Sequence, residues 1–411
     1  MTIPRSRDLR LLASAAGLSA LGDFLALIPL VLHVQQRTGS TFAVSAVFFA
    51  LWAPVVLGAG LAGTIVDRFE NRALLVGVSF AQAAVVVAIA LSVNTMYAVL
   101  PLLALLGFGI AVVQPAEFAL VPAAAGEADV ARANGLMETV RSLGFTAGPL
   151  LGGALGAAGL LRLALAVDAL SFVVVGLAGL ALRARRRPAG ARTPGEPIRA
   201  RDGFAFLAHD RALAVTLGGA VAALTVFTMS ATAEPFFVID VLGAGSFGYG
   251  LLITAWTLGM AAGAAGLAHR VPATGLAAAA LVAIVAQGLG IACAALSTVL
   301  WAALIGFAFG GVAHGVKNVL LRTLIHERVP EALRGRAFAT YNGARNGAEL
   351  GALALGGLVV GAFGARTGLL ASGVGPAAIG LTCLLYLITT RRRDAAAATI
   401  DGRTIHARVQ S

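Results

Sequence analysis

The chain has 411 residues, of which 59% are hydrophobic and only 12% charged, and its mean hydropathy is +0.89. These values lie far outside the range of soluble domains, and no segment is long and polar enough to form a separate soluble catalytic domain. The sequence therefore predicts an integral membrane protein that is surrounded by the lipid bilayer.

About twelve apolar stretches are each long enough to cross a membrane as an α-helix of roughly 20 residues. We predict an all-α membrane protein with twelve transmembrane helices in two six-helix, pseudo-symmetric bundles, at residues 1–182 and 212–390. A basic, proline-rich cytoplasmic linker at 183–211 joins the bundles, and a basic tail follows at 391–411. The predicted helices are 9–34, 42–66, 73–93, 97–121, 133–158, 163–182, 212–239, 247–268, 273–296, 299–321, 337–363 and 367–390.

The first predicted helix carries a carboxyl group deep in the membrane. Residues 9–34 follow three arginines and imitate a signal peptide, but the stretch is too long and no cleavage pattern follows. Asp23 lies about fourteen residues into the helix, or about 21 Å along its axis, and so near the midplane. Because burial favours a protonated carboxyl group and wetting favours the charged form, Asp23 is our first candidate for proton coupling. The alternative is a buried Asp that stays protonated or hydrogen-bonded.

The loop after the second predicted helix reads GTIVDRFENR and contains Gly63, Asp67, Arg68 and Arg72. A carboxylate such as Asp67 is stabilised at the N-terminus of a neighbouring helix, where free N–H groups and the helix dipole favour negative charge. Either Asp67 makes such a contact with a neighbouring helix, or the loop only connects two helices.

The fifth predicted helix has a face without side chains. Gly144, Gly148, Gly152 and Gly156 recur every four residues, so they form a ridge along which another helix can approach closely in lipid. Pro149 has no N–H to donate, and it should bend or soften the helix. Such a helix suits a part that rocks against its neighbour. We expect the ridge at Gly148 to meet a second small-residue ridge in helix 8, formed by residues 255, 259 and 263.

The spacing G-x-x-x-G-P-x-x-G-G, from Gly144 to Gly153, resembles the antiporter motif of exporters in the major facilitator superfamily. The surrounding segment ARANGLMETVRSLGFTAGPLLGG is similar to the branch of macrolide-efflux proteins and the enterobactin exporter, as are DALSF from Asp168 and the pair Gly22 and Asp23. The resemblance implies a proton-coupled secondary transporter that exports a lipophilic small molecule, such as a macrolide or a siderophore, by alternating access.

The loop at 63–72 resembles the superfamily's G-x-x-x-D-R-x-G-R-R signature, from which Glu70 and Asn71 depart. This likeness implies that Asp67 contacts helix 11 near Arg336 and latches the cytoplasmic side shut. A shift of 204 residues places Arg132 on Arg336, Arg141 on Arg345 and the glycines 152 and 153 on 356 and 357. Those matches predict a parallel repeat of two halves, with the transport site between them.

The basic residues are distributed unevenly about the predicted helices. With Met1 in the cytoplasm, 24 of the 30 Lys and Arg residues lie inside, 3 outside (37, 162 and 366) and 3 within helices (141, 317 and 345). This is the positive-inside pattern, so the net charge of +11 indicates topology and excludes nucleic acid as a partner. We expect a monomer in a bacterial plasma membrane, with both termini cytoplasmic.

Several further ionisable residues fall inside predicted helices, where charge is costly and usually functional. Arg141 and Arg345 have two possible roles. Each either takes a direct part in substrate or proton handling, or is paired along its own helix, with Glu138 and Glu349 respectively. Two acids in the outer half, Asp168 and Glu234, are either second proton sites or half-solvated end charges. His314 and Lys317 lie on helix 10. Either the pair lines the cavity, or the Lys317 side chain extends to the cytoplasmic headgroups.

Several signals are missing from the sequence. It has no GxxxxGK[ST] loop, no Cys/His cluster with metal-site spacing and no nucleophile and base motif, so we expect no ATPase, metal, cofactor or enzyme activity. Cys293 and Cys383 lie in apolar runs, which argues against a disulfide. The alternatives to an exporter are an importer or uniporter of the same fold and a receptor that binds ligand without transport.

Overall fold

The computed structural model describes residues 6–126, 129–185, 200–266 and 270–409. For 200–203 and 391–409 it describes the backbone alone. This part of the chain is almost entirely α-helical and has no β-strand. Short π-helical and 3₁₀ turns lie at Phe237–Val241 and Ala273–Gly275. The helices are α1 Arg7–Thr38, α2 Thr41–Leu57, α3 Ala59–Arg68, α4 Asn71–Ser92, α5 Met96–Ala125, α6 Val130–Ala157, α7 Leu161–Ala181, α8 Ala200–His209, α9 Arg211–Thr228, α10 Ser230–Phe236, α11 Gly245–Gly266, α12 Leu276–Leu296, α13 Leu300–Arg328, α14 Glu331–Phe363 and α15 Ala365–Val409.

The predicted membrane-spanning helices are present. Among the described residues, 10 spans are long and apolar enough to cross a membrane, and one of them, Arg211–Val241, joins α9, α10 and the π-turn. The pair α2 and α3, bent by 52° at Gly58, makes an eleventh. The helix predicted at 133–158 is present as α6, with 28 residues, but it is not among the spans that are apolar enough by this criterion. It runs unbroken through Pro149.

Some boundaries differ from the predicted ones. The predicted helix 11 is α14, which begins at Glu331 rather than 337, and the predicted helix 10 is α13, which continues to Arg328. Both helices continue with polar residues beyond the apolar stretch from which they were predicted. Residues 186–199 of the predicted linker lie outside the described part, whereas its end forms α8. This helix buries Leu207 against the second half of the chain, so the end of the linker is packed rather than free.

The connection from α8 to α9 is held by Asp210, the N-cap of α9. Its carboxylate accepts hydrogen bonds from the Leu213 N–H at 3.0 Å and from Arg328 Nη1 at 3.0 Å. Burial raises the pKa of Asp210, but these hydrogen bonds and the Arg328 charge outweigh it, so the pKa lies below its ordinary value.

The two halves, α1–α7 and α9–α15, have separate cores at one end and shared cores at the other. We call the end where α1 begins and α7 ends the terminal face, and the opposite end the far face. Toward the terminal face the buried clusters belong to one half each. Toward the far face the clusters mix the halves: Phe236 and Leu353 pack with α1 and α2, and Ile28 and Leu32 pack with α10 and α11. The halves therefore meet at the far face.

Two seams join the halves there. In the first, between α6 and α11, a Cβ on Gly153 would lie 2.9 Å from Gly250 Cα, and Thr254 Oγ1 donates to the carbonyl of Thr146 at 3.2 Å. In the second, between α2 and α14, Thr41 Oγ1 donates to Gly357 O at 2.7 Å.

In the same seam, Ser45 Oγ donates to Leu353 O and accepts from the Gly357 N–H at 3.3 Å. Bare backbone is thus brought together at both seams.

The glycine ridge of α6 packs within its own half, contrary to our expectation. A Cβ on Gly148 would lie 2.8 Å from both Leu21 O and Phe24 Cβ of α1, and Gly144 and Gly152 meet the same helix. The predicted contact between Gly148 and the ridge of helix 8 is therefore wrong. The ridge on α11, at Gly259 and Gly263, packs instead against α13 at residues 308 and 312. Glycine spacing shows that a close approach occurs but does not identify the partner.

The terminal half of α14 has a face that no neighbour fills. A Cβ on Gly343, Gly347 or Gly351 would meet nothing within 4 Å. Gly343 precedes Gly357 by 14 residues and Gly361 by 18, which is about four and five turns, so it lies on the face that contacts α2 further along. On α3, Gly60 and Gly63 are equally open. Among the described residues, α14 thus contacts α2 toward the far face, whereas no described atom covers its glycines toward the terminal face.

We predict that leucine at Gly153 and at Gly148 produces two different defects. Gly153→Leu should wedge the far seam open and increase maleimide labelling of a cysteine at position 35, whose glutamine contacts Asp240 across the halves at 3.3 Å. Labelling is measured in a background without Cys293 and Cys383. Gly148→Leu should instead lower the thermal unfolding midpoint, because overpacking between α1 and α6 costs about 1–3 kcal/mol.

Gly77→Leu, at an exposed glycine with nothing within 4 Å, is the control for both measurements. Equal labelling in Gly153→Leu and this control would contradict the seam.

Candidate functional site

The first half brings two carboxyl groups to one cavity: Asp168, which is buried, and Asp23, which is partly exposed but has a buried Oδ1. Asp168 on α7 is 2% exposed, and Ser171 Oγ donates to its backbone carbonyl at 2.8 Å. A Cβ on Gly22 of α1 would lie 2.7 Å from Asp168 Oδ1 and 2.6 Å from Ser171 Oγ. The glycine before Asp23 therefore lets α7 approach α1 at the acidic residues. Asp168 is not the half-solvated end charge that was one of its two interpretations.

Asp23 lies between two small cavities inside the first half. One, of about 30 Å³, is lined by both Asp23 and Asp168 among apolar side chains. The other, also about 30 Å³, lies toward the terminal face and is lined by Asp23, Gln82, Glu117 and Arg141. Each has room for a water molecule. Within the described residues, Asp23 Oδ1 is buried and has no hydrogen-bond partner.

Arg141 forms a salt bridge across helices rather than along its own. Its Nη2 donates to Glu117 Oε2 of α5, and its guanidinium lies 5.7 Å from the centre of the Phe118 ring. Glu117 is 1% exposed, whereas Glu138, the alternative partner suggested by spacing, is exposed. Glu117 was missed from the sequence, although an acidic residue within the predicted helix 97–121 was an available signal.

The second half buries a basic cluster at the corresponding depth of its bundle. Lys317 Nζ on α13 donates to Gln287 Oε1 of α12 at 3.1 Å and lies 3.2 Å from His314 Nδ1. His314 Nδ1 is also 3.2 Å from the same Gln287 oxygen. Lys317 is 5% exposed and His314 8%. The interpretation in which Lys317 reaches the headgroups is therefore wrong.

Aromatic rings cover this basic cluster. Phe227 of α9 stacks on Trp256 of α11 with 5.0 Å between ring centres and an interplanar angle of 20°. The centre of the Trp256 ring lies 5.1 Å from that of the His314 ring. The Phe307 ring packs edge-on against Trp256, with 6.3 Å between the ring centres. Phe227 and Trp256 are partly exposed. The cation and the apolar wall are thus adjacent.

Three further predicted residues lie in the second half. Arg345 Nη2 donates to Glu349 Oε1 at 2.9 Å on the same helix, α14, so the local pairing holds here, unlike at Arg141. Glu234 on α10 is buried and accepts a hydrogen bond from Ser230 Oγ at 2.8 Å. It is therefore not a half-solvated end charge either.

The loop between α3 and α4 divides into a bound part and an exposed part. Arg72 donates from Nε to Gly179 O at 2.9 Å and from Nη2 to Leu180 O at 2.6 Å, which ties α4 to the end of α7. Asp67 and Arg68 are exposed at the end of α3, and α3 packs on α5 and α2. Within the described residues, no hydrogen bond or ion pair joins Asp67 to α14, so the latch implied by the resemblance is not formed in this conformation.

We predict that the Arg141 and Glu117 pair behaves as one unit in unfolding. Glu117→Gln should lower the thermal midpoint strongly, because breaking a buried ion pair costs about 3–5 kcal/mol, and adding Arg141→Gln should restore part of the loss. Scanning fluorimetry in detergent measures both. The exposed pair of Asp129 and Arg132, at 3.4 Å, is the control, and its neutralisation should change little. Equal, additive effects at the two pairs would contradict the coupling.

Comparison with known proteins gives the same fold. A family model described as Major Facilitator Superfamily matches residues 12–348. The nucleoside transporter NupG is 14% identical with a TM-score of 0.75, and the match covers 92% of this chain and 98% of NupG. The POT family transporter PepTSo is 11% identical with a TM-score of 0.73, covering 95% and 99%.

A bacterial homolog of the human lysosomal transporter Spinster, in an inward-facing conformation, is 16% identical with a TM-score of 0.63 and covers 93% and 95%. Curated protein sequences give no significant match. The family model spans most of the chain, and the helical bundle agrees with it. The protein belongs to the major facilitator superfamily and is a multi-pass membrane transporter rather than an enzyme.

Proposed function

We propose that this protein is a proton-coupled exporter of a lipophilic small molecule, working by alternating access in a bacterial plasma membrane with its termini in the cytoplasm. The observation that carries the proposal is the position of Asp23, which lines two cavities of the first half: Asp168 lines one with it, and Glu117 and Arg141 line the other. The motif at 144–153 and its likeness to macrolide-efflux proteins and the enterobactin exporter support the direction and the substrate class.

A proton path through the first half follows from this arrangement. A carboxyl group in an apolar bundle accepts a proton readily, and a neighbouring cation or water promotes its release. Asp23 has an unused oxygen toward these cavities, and Arg141 is the nearest described cation to them. Movement of Arg141 relative to Asp23, as α6 rocks with the bundle, would load and unload the proton.

The conformation supports alternating access with the terminal face as the cytoplasmic side. The far face is closed by the two seams, and no described atom covers the glycines of α3 and α14 toward the terminal face. Closing that face would bring the open face of α14 onto α3, and Asp67 would then approach the start of α14. The latch, the monomeric state and the residues of the proton path belong to this proposal.

A second candidate is an importer or uniporter of a small metabolite, because the similar structures include nucleoside and peptide transporters. A receptor that binds ligand without flux is the third. Proton movement that depends on outward substrate flow distinguishes the exporter from both.

We predict that Asp23→Asn uncouples transport without abolishing exchange. In inside-out vesicles whose membrane contains the unaltered protein, a pH gradient should drive accumulation of erythromycin or of a catechol siderophore. Vesicles that contain Asp23→Asn should show no such accumulation. Exchange of labelled for unlabelled substrate without a gradient should persist, because a neutral Asn mimics the protonated carboxyl. Asp129→Asn, an exposed acid, is the control. Gradient-driven accumulation by Asp23→Asn would reject Asp23 as the proton carrier.

We further predict that Gly347→Phe slows transport while leaving the fold stable. In the present conformation nothing lies within 4 Å of a Cβ at this position, so the ring is tolerated, whereas closure of the terminal face would place it against α3. The turnover rate and the thermal midpoint measure the two effects. Gly77→Phe, on an exposed position of α4, should leave turnover unchanged. Normal turnover in Gly347→Phe would show that α14 does not close on this face.

A further inference from the structure

The two halves place polar side chains on the same spanning helices but with different charges. The third, fourth and fifth spans of the first half carry Gln82, Glu117 and Arg141. The corresponding spans of the second half, α12, α13 and α14, carry a glutamine, a lysine and an arginine: 287, 317 and 345. The acid of the first half is thus matched by a base in the second.

This difference leaves the second cluster short of negative charge. In the first half, Glu117 and Arg141 neutralise each other. In the second, the hydrogen-bonding partners of Lys317 in the described structure are Gln287 and His314, neither of which is an anion. Arg345 and Glu349 of α14 act on Lys317 electrostatically, but Glu349 is paired with Arg345. Within the described residues, no carboxylate is bonded to Lys317.

An unpaired buried ammonium is costly, by several kcal/mol in real proteins, and such groups in membrane proteins usually face a ligand. The aromatic side chains beside Lys317 indicate what shape of ligand would fit. The stacked rings of Phe227 and Trp256 offer a flat apolar surface 5.1 Å from the His314 ring. The Arg345 side chain is 35% exposed and Glu349 29%, so the cluster is accessible from the side of α14.

We propose that this cluster is a binding site for a carboxylate on a planar, apolar body, with the carboxylate between Lys317 and Arg345 and the body against Trp256 and Phe227. The incoming carboxylate replaces Glu349 on Arg345, so that Glu349 holds the site in the empty transporter. The proposal rests on the proposed function and narrows its substrate class to lipophilic organic anions, which excludes the macrolides, whose ionisable group is an amine. No group is transferred, and the contacts are ionic and hydrogen-bonded.

The test uses Trp256 as the reporter, in purified protein carrying Trp52→Phe and Trp301→Phe. The probe is 4-nitrobenzoate, which quenches indole fluorescence, and its uncharged isostere 4-nitrobenzamide is the matched ligand control. We expect saturable quenching by the carboxylate and only linear, non-saturating quenching by the amide. Excess chloride should not compete, because it lacks the planar body. Saturable quenching by the amide with the same half-saturation, or full competition by chloride, would overturn the proposal.

Variants give the residue assignments. Lys317→Met should raise the half-saturating concentration by at least about tenfold, the effect expected when a hydrogen bond between charged groups is lost. Lys317→Arg should retain binding. Glu349→Gln should lower the half-saturating concentration, because the competing carboxylate is gone, and a misfolded protein cannot produce that result. Unchanged binding in Lys317→Met or weaker binding in Glu349→Gln would refute the site.

Arg322→Gln is the matched control, since it removes one exposed cation from the same helix and should leave the half-saturating concentration unaltered. Failure of the anion site at Lys317 can be distinguished from failure of the proposed function. Transport that depends on Asp23 can persist without an anion site at Lys317, and nitrobenzoate can bind at Lys317 in a protein that does not couple to protons.

Discussion

The structure depends on the close approach of helix backbones at glycine. In lipid, apolar side chains gain nothing by leaving the solvent, so helices associate through van der Waals contact and hydrogen bonds. On α6, successive faces serve different neighbours: Gly144, Gly148 and Gly152 contact α1 of the same half, while Gly153 contacts Gly250 of the other half. One residue along a helix turns the side chain by about 100°, so a single glycine-rich motif packs α6 in two directions.

The contacts within one half and between the halves are built differently. The contact between α1 and α6 extends over several turns and buries apolar side chains on both sides. The far seams combine glycine contacts and hydrogen bonds, such as that of Thr41 with Gly357, with the apolar clusters that the halves share. Interhelical hydrogen bonds in membrane proteins contribute about 0.6 kcal/mol each, so the four in these seams amount to about 2 kcal/mol. Alternating access would have to break these hydrogen bonds and part the shared clusters, while the contact of α1 with α6 inside one half stays.

Composition and periodicity were sufficient to predict the fold. Apolar stretches of spanning length predicted an all-helical membrane bundle, and the family model and the 10 or 11 apolar spans among the described residues confirm this fold class. Helix ends were less predictable, as at Glu331, because the polar ends of α13 and α14 continue beyond the apolar stretch.

The site could be predicted only in part, because local spacing does not show contacts between helices. Glu138 is three residues from Arg141 and was a natural partner, yet the carboxylate that binds Arg141 belongs to α5. Likewise, the length of Lys317 suggested that it reaches the headgroups, but Gln287 of another helix holds it inside. The partner of the glycine ridge was missed for a similar reason, since a face without side chains carries no mark of its neighbour.

The opposite charges of the two halves bear on the direction of transport. If a proton enters through Asp23 as an organic anion leaves through the cluster at Lys317, two elementary charges move in the sense that an inside-negative potential favours. Each is worth about 2.3 kcal/mol per 100 mV, so at about 100 mV the exchange gains about 4.6 kcal/mol from the potential in addition to the pH gradient. Import of the same anion with one proton would move no net charge and would gain nothing from the potential. The proposed proton path and the proposed anion site, taken together, therefore agree better with export of anions than with their uptake.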